Sequence, residues 1–88
     1  MDLDVTMARM NITWAGQNGD LPDPVAYDTP TAQLLQMAKE SIRNGDVPGI
    51  PQDVNADLTD FVVDRFPATG ELPNRVFIRS KTPFGGQE

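Results

Sequence analysis

The stretch from Asp28 to Gly45 constrains this chain more than any other. Leu34, Leu35, Ala38 and Ile42 recur at helical spacing and form one apolar stripe, with Lys39, Glu40 and Arg43 on the other side. Thr29 is placed to cap, Pro30 suits a first helical position, and Asn44-Gly45 is a stop signal. The pattern predicts a helix from about Pro30 to Asn44. Eighty-eight residues leave room for one small domain. With a single helical pattern, the stripe has nothing to lie on except a sheet.

Strand signals flank the helix. Val76-Phe77-Ile78, bracketed by Arg75 and Arg79, is a continuous β-branched and aromatic run, the mark of a strand buried on both faces or nearly so. Such a strand belongs in the middle of a sheet, beside the first one. Near the start, Leu3, Val5 and Met7 fall on odd positions, whereas Met10, Ile12 and Trp14 fall on even ones. A pleated strand changes parity only at a bulge or break, so residues 1–9 read as an arm and the first strand as Met10 to Ala15. Gly16-Gln17-Asn18-Gly19-Asp20 carries turn chemistry, and Pro22 and Pro24 confine the return strand to about Pro24 to Tyr27 at a sheet edge. After the helix, Ile50 is placed to plug a gap under a proline-rich connector. Phe61 to Asp64 is a further strand, followed by a Thr69-Gly70 turn. The order predicts an α+β fold with a four- to five-stranded mixed sheet packed on a single helix.

Composition removes several chemistries. Without cysteine there is no disulfide, thiolate nucleophile or zinc-thiolate site, and without histidine the commonest general base is missing. A net charge of −6 repels nucleic acid and anionic membranes and favours partners with basic faces. Met1-Asp2-Leu3-Asp4 lacks the basic and apolar regions of a signal peptide, and we expect a soluble cytoplasmic protein. Asp53 to Asp64 has the oxygen spacing of a calcium loop, but Leu58 occupies the sixth position, where glycine is needed. Those residues read as capping groups, and no metal or cofactor is expected. Asp57, Asp60 and Asp64 carry no sign of a catalytic pair, so the chain is not expected to be an enzyme.

The C-terminal stretch changes character after the last strand. Pro83 cannot donate a backbone hydrogen bond, Gly85 and Gly86 have no side chains, and Gln87-Glu88 follows them. Residues 82–88 read as a flexible tail beyond a domain of residues 10–81. A final strand, a short tail and a diglycine, behind this order of elements, resemble the ubiquitin-like (β-grasp) modifiers, including the prokaryotic members encoded beside conjugation enzymes. The resemblance spans about Met10 to Gly86 and implies a modifier precursor. Cleavage after Gly86 by a JAB-type or other peptidase would free a carboxylate, which an E1-like enzyme would activate and an E2-like enzyme would pass to target amines. Gly85 and Gly86 would be the processing and conjugation site, and Thr82, Pro83 and Phe84 the stretch read by the E1-like enzyme. Lys39 and Lys81 are the only lysines available for self-linkage. Trp14 and Phe77 are candidates for a docking face on the sheet away from the helix, or else core residues. A monomer is expected. The alternatives are a binding module with an inert tail and a sulfur carrier that forms a thiocarboxylate at Gly86.

Overall fold

Side-chain alternation in the first strand decides how the sheet is assembled. In the computed structural model, which describes residues 6–80, β1 (Met7–Trp14) buries Ala8, Met10 and Ile12 completely. The strand thus begins at Met7, not at Met10. Residues 7–9 were expected in the arm, but Ala8 already has the inward parity of Met10 and Ile12, so no break is needed between them.

The hairpin that follows is tighter than its sequence implies. Ala15 and Gly16 have φ of 52° and 81°, and this pair of left-handed residues makes a two-residue turn matched to the twist of its strands. β2 (Gln17–Asp20) therefore returns at once, pairing Trp14 with Gln17 and Ile12 with Gly19. Asn18-Gly19, expected in the turn, lies in the strand. Gly19 is there for another reason: a Cβ on it would stand 2.1 Å from the Pro48 carbonyl oxygen and 3.0 Å from Val47 Cγ1. Only glycine lets the connector after the helix lie this close. Pairing continues through Leu21, whose N–H donates to the Met10 carbonyl. Pro22-Asp23-Pro24 then bulges out, and β3 (Val25–Ala26) resumes opposite Ala8 and Met7. Tyr27 N–H extends that pairing to the Thr6 carbonyl.

α1 (Thr31–Asn44) buries Leu34, Ala38 and Ile42, with Leu35 half-buried beside them. Pro30, with ψ of 146°, is the N-cap and not the first helical residue, and no side chain caps the helix. Thr29 instead donates its hydroxyl to the Ala26 carbonyl at 2.7 Å. At the other end Gly45 is left-handed, its N–H donates to Ile42 and that of Asp46 to Ser41, which is the paired-bond termination glycine favours. The connector then contributes Val47, Ile50, Ala56 and Leu58 to the core.

β4 (Phe61–Phe66) and β5 (Asn74–Ser80) complete the sheet. β5 runs parallel to β1, pairing Val76 with Met10 and Ile78 with Ile12, and antiparallel to β4, pairing Ile78 with Val63. The strand order is β2-β1-β5-β4, with β3 also on β1. One helix over a mixed five-stranded sheet, with the last strand central and parallel to the first, is a β-grasp-like α+β fold. If close approach outweighs conformation at Gly19, Gly19→Ala costs about 3 kcal/mol in urea unfolding. Gly16→Ala, with nothing within 4 Å of its Cβ, costs about 1 kcal/mol for its positive φ alone. The reverse order would contradict this packing.

Candidate functional site

Burial along β5 alternates cleanly. Asn74, Val76 and Ile78 point under the helix, whereas Arg75 and Phe77 point to the other, open face. Register extends that face across the sheet: Arg9 lies opposite Arg75, Asn11 opposite Phe77, Asp64 opposite Phe77 and Phe66 opposite Arg75.

The open face has two halves. On β1 and β2 it is an amide ladder, in which Asn11 donates to Asn18 and Asp20, and Asn18 donates back to Asn11 and to Thr13. On β4 and β5 it is aromatic and cationic. Phe66 and Phe77 meet edge to face with centroids 5.3 Å apart, and the Arg75 guanidinium lies 5.5 Å above the Phe66 ring. Arg79 Nε donates to Asp64 at 2.7 Å. Phe66 is 43% exposed.

Phe77 therefore sits on the face expected for docking, but Trp14 does not share it. The even parity of β1 places Trp14 on the helix side, where it packs half-buried against Phe61, and its Nε1 donates to Asp53 at 3.2 Å. Trp14 and Phe77 are on opposite faces because they differ in phase relative to the paired residues Ile12 and Ile78. Lys39 lies half-buried on α1, lining an open groove with Leu35, Asp57 and Leu58. Gly85, Gly86, Thr82, Pro83, Phe84 and Lys81 are outside the described residues. Burial ends at Ile78, and Arg79 and Ser80 are exposed.

Two polar residues that sequence reasoning passed over hold the frame. Arg65 is on the helix side of β4, where it donates to the Tyr27 and Thr29 carbonyls at 2.7 Å and to Thr31 Oγ1. Buried Asn74 accepts from Ala68 N–H and donates to the Met7 carbonyl, tying the start of β5 to the start of β1. Their signal was phase: each is a polar residue at an inward-facing position of its strand, and such groups need partners.

The aspartates before β4 act locally. Asp53 accepts from Asn55 N–H as well as from Trp14, and Asp57 accepts both the N–H and the hydroxyl of Thr59. Among the described residues no three His, Cys, Asp or Glu side chains cluster as metal ligands, and no helix is long and apolar enough to cross a membrane. No protein-family model, curated protein or solved structure matches the chain.

The Thr59 hydroxyl, followed by its N–H and by Lys39 and Arg43, holds the Asp57 carboxyl below the usual aspartate range. A depressed carboxylate stabilises the fold above its unfolded-state pKa and loses that contribution as pH falls through the depressed value. Thr59→Val removes the larger bond, so the Asp57 midpoint in an NMR titration rises toward the ordinary value. An unchanged midpoint would contradict the assignment.

Proposed function

We propose that this chain is a ubiquitin-like modifier precursor that serves as an acyl donor. The observation that carries the reading is the place of β5: a central strand, parallel to the first, whose chain leads through exposed Arg79 and Ser80 toward Gly85-Gly86. The β-grasp-like order of elements supports it, and so does the diglycine, because a backbone without Cβ passes where any other residue would clash.

In this reading a JAB-type or similar peptidase hydrolyses the Gly86–Gln87 bond and frees the Gly86 carboxylate. An E1-like enzyme joins that carboxylate to the α-phosphate of ATP with release of pyrophosphate, and its cysteine thiolate then displaces AMP to give a thioester. Transfer to an E2-like cysteine and attack by a target amine release the thiol and form an isopeptide bond. The modifier contributes the acyl group and the recognition surfaces, and the enzymes contribute the catalysis. Thr82, Pro83 and Phe84 are the natural place for the E1-like enzyme to tell this tail from another. Such a modifier works in the cytoplasm of a bacterium as a monomer, and Lys39 and Lys81 are its own acceptor amines if chains form.

Intact-mass analysis after incubation with an E1-like enzyme, an E2-like enzyme, a JAB-type peptidase and ATP tests this directly. The expected products are loss of Gln87-Glu88 and addition of the modifier to protein amines, both abolished by Gly86→Val. Replacement of one carboxylate oxygen by sulfur would identify a sulfur carrier. No change in any species, with partner binding intact after deletion of residues 85–88, would identify a binding module with an inert tail.

A further inference from the structure

Arg9 and Arg75 are directly opposed on neighbouring parallel strands of the open face. Like charges so placed repel. Arg75 spends its Nε on the Pro73 carbonyl, and among the described residues no carboxylate bonds either guanidinium. The nearby Asp64 is engaged by Arg79. This part of the face thus carries Arg9, Arg75 and Arg79 against Asp64, with Asp20 one strand further out and bonded by Asn11, on a chain whose net charge is −6. Phe77 lies between Arg75 and Arg79 along β5, and Phe66 on β4 meets its ring on the side of Arg75 away from Arg9.

From this we infer that the open face along β5, with its flanks on β1 and β4, docks an acidic, apolar segment of a partner protein, with a carboxylate between Arg9 and Arg75 and an apolar side chain against Phe66 and Phe77. A carboxylate there replaces repulsion by two charge-assisted hydrogen bonds, because among the described residues neither the Nη groups of Arg75 nor the Arg9 guanidinium donates a hydrogen bond. The apolar contact supplies burial, and the charges supply orientation and encounter rate. A nucleic-acid strand fits less well. Its bases need free ring faces to stack on, but Arg75 already lies over Phe66 and the two rings already meet each other. This surface does not depend on the tail, so it can stand or fall separately from the modifier reading.

The repulsion is testable without any partner: Arg9→Gln raises Tm by about 1–4 °C. For docking, the probe is a fluorescein-labelled peptide alternating Asp or Glu with Leu or Phe, followed by anisotropy and by amide shifts in the full-length protein. Shifts centred on Arg9, Phe66, Arg75 and Phe77 are expected, with affinity falling as salt rises. The R9Q/R75Q double variant, checked by circular dichroism to be folded, should bind roughly tenfold or more weakly. An acidic peptide with serine in place of Leu and Phe should bind more weakly too. The proposal is overturned by shifts elsewhere, by equal affinity in a folded double variant, or by tighter binding of a single-stranded oligothymidylate than of the peptide.

Discussion

The parallel pairing of β5 with β1 is the constraint on which the rest of this structure depends. It sets Val76 beside Met10 and Ile78 beside Ile12, all of them essentially inaccessible to solvent. Each such side chain contributes about 1.5–3 kcal/mol on burial, in a domain whose whole stability is of the order of 5–15 kcal/mol. The helix stripe of Leu34, Ala38 and Ile42 has its floor only when both strands are in place. A chain built this way cannot close its core until its C-terminal strand has been inserted between β1 and β4. Parallel neighbours need a crossover, and α1 with its connector provides one.

The elements that were legible in the sequence are those whose pattern and burial agree. The helix declared itself by its stripe and by Gly45, and β5 declared itself as a central strand by its apolar run, although only the Val76 and Ile78 side is buried and Phe77 lies on the open face instead of a second buried one. The first hairpin turns at Ala15-Gly16, against the stronger local turn signal of Asn18-Gly19. Asn18-Gly19 is a strong turn dipeptide in isolation, but a turn there would take Gly19 away from the carbonyl of Pro48, where no side chain fits. That contact is tertiary and leaves no trace in local spacing. Pro30 and Thr29 show the same limit at the helix start, since a hydroxyl able to cap found a better partner in the Ala26 carbonyl.

Of the candidate site, phase alone located Phe77 on the open face, and the same logic applied to β1 would have set Trp14 on the other. The pairing of Arg9 with Arg75 was not legible, because it joins residues far apart in sequence through a register that only the folded sheet defines. Arg65 and Asn74 were legible in principle: a polar residue in the inward phase of a strand must be bonded, and both are. The outcome is a domain with two unlike faces. The helix side is spent on the core, whereas the open side keeps its aromatic rings and guanidiniums at the surface.

Native-state hydrogen exchange tests the central claim most directly, since it reads strand by strand which amides open only when the whole domain unfolds. If β5 is the strand that closes the core, its amides exchange with the same free energy as those of β1, equal to the global value from urea unfolding. The edge strands β2, β3 and β4 open at lower cost. Exchange of β5 through local fraying, well below the value for β1, would contradict the account.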